Sequence, residues 1–159
     1  MILRDADIAD AAAIADVWNA EIRDGVSTFN SVEKTLADVE AMIAERPGAV
    51  IVAYDGAEFL GFVTFAQFRG GIGYRFAAEH TVYLTPAARG KGAGRALMDV
   101  AEKAAKSLGF QVFVAGISGE NTAGQAFHTA LGFTEVGRMP DIAMKFERWM
   151  SLVLMQKRL

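Results

Sequence analysis

Apolar positions along the chain alternate between helical spacing and short continuous runs. Ile2–Arg4 reads as an opening strand, and Asp7 is placed to cap a helix carrying Ile8, Ala11, Ala12, Ala15 and Trp18 on one side. Arg23–Ser31 ("RDGVSTFNS") is turn-rich and predicts a loop. Thr35 opens a second helix with Leu36, Val39, Met42 and Ile43 at helical spacing; Pro47 and Gly48 end it. Ala49–Tyr54 is fully apolar and predicts a buried strand, and Asp55–Gly56 suggests a hairpin turn into a strand over Phe59–Phe68. After a glycine-rich loop, Arg69–Arg75, a strand is expected over Phe76–Thr85, stopped by Pro86.

A long helix is predicted from Ala93 to Leu108, with Gly109 as its C-cap, then a buried strand over Phe110–Ile117. A helix from Asn121 to Leu131 ends at Gly132, and "TEVGRM" and "WMSLVLMQ" read as two final strands. No repeat, linker or low-complexity tract interrupts this order, which fits one α/β or α+β domain with a mixed sheet.

Composition narrows the picture. The 159 residues suit one domain with a proper core. A net charge of −3 argues against a nucleic-acid footprint. Without cysteine there is no disulfide, thiolate metal site or cysteine nucleophile. The two histidines, His80 and His128, lie far apart in sequence, so no metal-ligand cluster is expected. The opening "MILRDADIAD" does not read as a signal peptide, and no apolar run reaches membrane-spanning length; the default expectation is a cytoplasmic protein.

The candidate chemistry begins at "ARGKGAGRALMDV", Ala88–Val100, where a strand, a glycine-rich turn and a helix start follow one another. Unpaired amides and the positive helix end converge there, glycines allow close backbone approach, and Arg89, Lys91 and Arg95 add charge. A solvated basic turn is the plain alternative. A nucleotide P-loop needs Lys-Ser or Lys-Thr after the glycines, which is missing. A dinucleotide fingerprint belongs near the first strand, and this loop lies past mid-chain. A pyrophosphate without bound magnesium fits better.

"RGKGAG" (Arg89–Gly94) resembles the [QR]-x-x-G-x-[GA] pattern of the GNAT N-acetyltransferase superfamily, and "NTAGQAFHTALGF" (Asn121–Phe133) resembles its next motif. "GYRFAAEHTVYL", "KFERWMSLVLMQ" and the early "STFNS" are similar to the branch that acetylates phosphinothricin and methionine sulfoximine or sulfone. The resemblance covers nearly the whole chain. It implies a single domain over residues 1–159, with a mixed central β-sheet flanked by helices and splayed, at a bulge, beside the cofactor-binding strand. It also implies acetyl-CoA as co-substrate, a small-molecule amine as acceptor, and a homodimer.

The resemblance carries roles onto particular residues. Loop amides and side chains of Arg89, Gly90, Lys91, Gly92, Ala93, Gly94 and Arg95 would hold the pyrophosphate, with Asn121 as a further cofactor contact. Val82, Tyr83 and Leu84 would offer backbone groups to the pantetheine arm and thioester. An ammonium must lose its proton before it attacks a thioester, and Glu79 is expected as that base, direct or through water. Taken alone, Glu79 would read as an exposed strand carboxylate. His80 follows it, and strand alternation turns it to the opposite face, in a structural or substrate-adjacent role. His128 stands where many relatives have tyrosine; an imidazole there is expected either to protonate the departing thiolate or merely to make a local hydrogen bond. Asn121 alone would be a helix N-cap.

The acceptor pocket is expected from Thr28, Phe29, Arg69, Tyr74, Arg75, Phe76, Lys145, Phe146 and Trp149, with arginine suited to a carboxylate. Glu147 replaces the branch's usual glycine, and Met139–Met144 departs from its usual segment, at the pocket rim or dimer contact. The rival functions are a GNAT enzyme for another amine (polyamine, aminoglycoside or protein N-terminus) and an acyl-CoA-binding module without turnover.

Overall fold

The computed structural model describes all of residues 1–159. Seven strands form one sheet: β1 (Ile2–Asp5), β2 (Val50–Asp55), β3 (Glu58–Gln67), β4 (Ala77–Leu84), β5 (Val112–Ser118), β6 (Thr134–Lys145) and β7 (Arg148–Arg158). Their spatial order is β1-β2-β3-β4-β5-β7-β6. Every neighbouring pair is antiparallel except β4 and β5, which run parallel and are joined by a crossover through helix α3. The helices are α1 (Ala11–Asp24), α2 (Leu36–Glu45), α3 (Ala93–Ser107) and α4 (Thr122–Ala130).

Local sequence accounts for most starts and stops. Asp7 accepts from the Ala9 amide while Asp10 reaches back to the Asp7 amide, so a short 3-10 turn at Ile8–Asp10 precedes α1. Thr35 and Asp38 make the same reciprocal cap on α2. Asn121 caps α4 by accepting from the Gly124 amide at 2.8 Å.

β2 is apolar throughout because both its faces are covered. Ile51 and Ala53 join the larger core under α3, whose Leu97, Met98, Ala101 and Ala105 are fully buried. Val50 and Val52 face the other way, against Ala11, Ile14 and Val39 of α1 and α2. β6 is longer than the expected "TEVGRM" strand: it runs through Pro140 to Lys145, and its pairing with β7 slips between Met139 and Ala143. An edge strand has a free side, so it tolerates a proline and a bulge.

Candidate active site

The sheet splits between β4 and β5. Parallel pairing covers only Ala77, Ala78 and Glu79 against Val112, Phe113 and Val114. β4 then continues to Leu84 and β5 to Ser118 without pairing, and a wedge opens between them. The expected bulge in β4 is not there. Its register with β3 is unbroken from Ala78 to Leu84, so the splay comes from the parallel ladder stopping at Glu79.

A cavity of about 1060 Å³ fills the wedge. Thr81, Val82, Tyr83 and Leu84 form one wall; Gly116, Ile117 and Ser118 form the other. Asn121, Phe127 and His128 of the α4 region close one side, and Ser27, Thr28 and Phe29 of the loop after α1 close another.

Glu79 stands at the apex, as the last β4 residue paired with β5, and its side chain is open to the cavity. Desolvation by its surroundings raises its carboxyl above the ordinary glutamate value, towards the range useful for a base. Gly116 makes room for it: a Cβ on Gly116 would stand 3.4 Å from Glu79 Oε1. The sequence reading overlooked Gly116, although a lone glycine inside an apolar strand signals close approach by another group.

His80 does turn to the opposite face. It is buried against Phe113 and Phe133, and its Nε2 lies 2.9 Å from His128 Nε2. His128 Nδ1 lies 2.7 Å from the Gly124 carbonyl, which can only accept, so the proton of a neutral His128 sits on Nδ1. Its Nε2 is then the acceptor for an N–H from His80. Burial favours neutral rings: it pushes the His80 imidazole down to about 3, with His128 adding to the effect, and it lowers His128 as well. Both nitrogens of His128 are thus engaged within the protein. In this arrangement a neutral His128 has no N–H left free toward the cavity.

The start of α3 fits a diphosphate. Gly92 is its N-cap, with φ 71°, and no side chain caps it, unlike α2 and α4. The amides of Gly90, Gly92, Ala93, Gly94 and Arg95 have no acceptor within the protein. Gly90 and Gly92 both take positive φ, which ordinary residues rarely adopt. Gly94 serves differently: a Cβ there would come within 3.1 Å of both Leu84 and Phe127. The three cations are unequal. Lys91 Nζ bonds Asp55 and Glu58, each at 2.9 Å, tying the loop to the β2–β3 turn, and Arg95 donates to the Ala130 carbonyl. Arg89 alone makes no ion pair or side-chain hydrogen bond. Asn121, besides capping α4, donates to Ser27 Oγ at 3.2 Å, so both ends of its amide are occupied.

Of the expected acceptor residues, Thr28, Phe29 and Arg69 line the cavity. The other six do not. Arg75 lies over the Phe76 ring at 4.3 Å and donates to the Ile72 carbonyl, while Tyr74 packs on Phe68 and Arg69. Phe146 and Trp149 are exposed at the β6–β7 turn and just beyond it. Lys145 is buried outside the cavity and donates to three backbone carbonyls. These segments carry suitable residue types, but Tyr74, Arg75 and Lys145 are engaged by neighbours and Phe146 and Trp149 sit exposed at the hairpin. In their place the fold brings Glu21, Phe68, Met139, Ile142 and Leu152 to the cavity. Helical periodicity hid Glu21, and strand alternation hid Leu152.

Comparison with known proteins agrees with this arrangement. The acetyltransferase (GNAT) family pattern matches residues 14–133. An L-methionine sulfoximine/L-methionine sulfone acetyltransferase of Salmonella typhimurium is 36% identical, covering 100% of this chain and 95% of its own. A phosphinothricin N-acetyltransferase of Alcaligenes faecalis is 30% identical over 99% of this chain and 81% of its own. A Salmonella typhimurium acetyltransferase solved with acetyl-CoA superposes with a TM-score of 0.95 at 35% identity, covering 100% of this chain and 94% of its own. With a wedge between parallel strands, a helix start whose amides are unclaimed, and a sequence match over most of its length, this chain belongs to the GNAT family of acetyl-CoA-dependent N-acetyltransferases.

Proposed function

We propose that the enzyme acetylates the α-amine of a small amino acid or analogue of the methionine sulfoximine, methionine sulfone or phosphinothricin type. The observation that carries this reading is the position of Glu79, at the point where the β4–β5 ladder ends and the cavity begins. Acetyl-CoA supplies an acyl carbon activated as a thioester, with a thiolate as leaving group. Glu79, as carboxylate, takes the proton of the acceptor ammonium, so the nitrogen lone pair is free to attack. The unclaimed amides of Gly90, Gly92, Ala93, Gly94 and Arg95, with the Arg89 side chain, hold the diphosphate. Backbone groups of Val82–Leu84, free of β5, face the thioester arm. With His128 engaged at both nitrogens, no side-chain acid is assigned to the leaving sulfur: as the new C–N bond forms and the C–S bond breaks, the second proton shed by the nitrogen passes through solvent to the departing thiolate.

Arg69 is the cation of the cavity wall and suits an α-carboxylate by its planar fork. Thr28, Phe29, Phe68 and Ile142 enclose the remainder, a mostly apolar space for a short side chain.

Residues 1–159 act as one domain, a reading supported by the sheet that runs from the first strand to the last. No helix is long and apolar enough to cross a membrane, and we place the enzyme in the cytoplasm, where acetyl-CoA is available. A homodimer is supported by the edge strand β6 and its surroundings, where Val136, Ile142, Met144 and Trp149 are exposed.

A thiol-release assay with purified enzyme and acetyl-CoA tests the acceptor. Methionine sulfoximine, methionine sulfone and phosphinothricin are compared with a polyamine, an aminoglycoside and a peptide N-terminus. The proposal expects turnover with the amino acids. Faster turnover with any of the other three overturns it, and cofactor binding without turnover on any amine identifies a binding module instead.

A further inference from the structure

We infer that Lys145 is a positioning residue for acceptor binding, acting from outside the cavity by fixing the segment Gly25–Phe29 that walls it. The inference rests on reading the cavity as the acceptor site.

Lys145 ends β6 and is only 4% exposed. Its Nζ donates to the carbonyls of Glu21 at 3.2 Å, Gly25 at 2.7 Å and Thr28 at 2.8 Å. Three acceptors require three N–H donors, which only the ammonium form provides. The three carbonyls span the last turn of α1 and the loop that leaves it. The ammonium therefore caps the negative end of α1 and gathers the following chain around one point.

That chain has no regular structure of its own. No helix or strand occurs between Asp24 and Leu36, yet Ser27, Thr28 and Phe29 all face the cavity. The far end of the stretch is tied back to α1, where Asn19 bonds the Lys34 amide and carbonyl and Arg23 pairs with Glu33; at the cavity end, besides Lys145, Asn121 donates to Ser27. The segment is thus a strap held at Lys145 on the β6–β7 side and at Asn121 on the α4 side.

The lysine is itself aimed by an unusual turn. Lys145 pairs with Arg148 across two residues, Phe146 and Glu147, which take φ of 52° and 60°. Both positive values mark a type I′ turn. The turn lays the Phe146 ring 4.8 Å from Nζ, over the ammonium. A strained turn, a buried cation and three loop carbonyls form one connected device, and its output is the position of Thr28 and Phe29.

Lys145→Met removes all three donors. Lys145→Arg keeps the charge but spreads its donors over a flat fork that does not match three converging carbonyls. The acceptor used is whichever amine of the panel above the wild-type enzyme turns over, so failure of the amino-acid reading shows in wild type and failure of this inference only in the variants. Lys145→Met is expected to raise the acceptor KM about tenfold or more, with the acetyl-CoA KM changed less than about twofold. Hydrogen exchange at residues 25–30 should accelerate while β2–β5 and the Asn19-held Lys34 amide stay protected, and Lys145→Arg should recover part of the acceptor KM. An unchanged acceptor KM overturns the inference, as do unchanged exchange in 25–30 or a parallel rise in both KM values. Should Lys145→Met not fold, the Lys145→Arg variant decides by the same two readouts.

Discussion

His80 and His128 meet Nε2 to Nε2 at 2.9 Å, linking β4 to α4 beside the wedge. The bond uses His80's proton and His128's lone pair, and His128 spends its own proton on Gly124. Replacing His128 with Leu strands the His80 N–H among Phe113 and Phe133, at a cost of about 1–3 kcal/mol. Replacing both histidines with Leu removes donor and acceptor together and should cost less than the two single changes summed. Chemical denaturation of the four proteins measures this coupling.

The same pair sets an acid limit on stability. Both rings have native values below that of a free histidine, about 6.5. The native state therefore holds fewer protons than the unfolded state as soon as the pH falls below about 6.5. Stability is fully present above that value and is lost on acidification, for His80 down to about 3. The slope is about 1.4 kcal/mol per pH unit for each histidine titrating only in the unfolded state. Midpoints of unfolding between pH 7 and 5 should fall less steeply in the double Leu variant than in wild type.

Glu79→Gln removes the proposed base and should lower kcat/KM by about 10²-fold or more, most visibly at lower pH, where the amine is protonated. Gly116→Ala tests the same group more gently. The added methyl would meet Glu79 Oε1 at 3.4 Å, ordinary contact, and would strip water from the carboxylate. Its carboxyl value should rise further, and the acid limb of the pH–rate profile should move to higher pH without loss of stability. An unmoved limb in Gly116→Ala would separate Glu79 from the proton transfer.

In the phosphate loop the cations should rank by their engagement. Arg89→Ala should raise the acetyl-CoA KM more than Lys91→Ala, because Lys91 is already held by Asp55 and Glu58. Gly92→Val forces a branched residue into positive φ, a strain of about 1–2 kcal/mol, and should raise the acetyl-CoA KM about tenfold. Steady-state kinetics with acetyl-CoA varied at saturating acceptor gives all three values.

Glu147 adopts φ 60° with no glycine to ease it. Glu147→Gly should stabilise the protein by about 0.5–1 kcal/mol, the relief of left-handed strain less the added freedom of the unfolded chain. A rise in Tm of a few degrees with unchanged acceptor KM is the expected result.

Periodicity and punctuation made most of this fold legible. The double-sided apolar runs of β2 and β5, the caps at Asp7, Thr35 and Asn121, and the glycine loop before α3 are local features. Their physics acts over a few residues, so the chain alone declares them. The family resemblance supplied the mixed, splayed sheet and the choice of Glu79, and alternation alone turned His80 away from it; the strand order came only with the fold. The edge strand β6 was underestimated because a proline and a bulge, which a free edge tolerates, look like a break when read in line.

What the tertiary structure decided was which polar groups remain free. Lys91, Arg95, Asn121, His128 and Lys145 all have the right chemistry for a ligand, and each is satisfied by a partner between 33 and 124 positions away or, for His128, partly within its own helix. A hydrogen bond closes over about 3 Å in space whatever the separation along the chain. Only the folded arrangement therefore shows that the side chains of Arg89, Glu79 and Arg69 make no hydrogen bond or ion pair while those of their neighbours do.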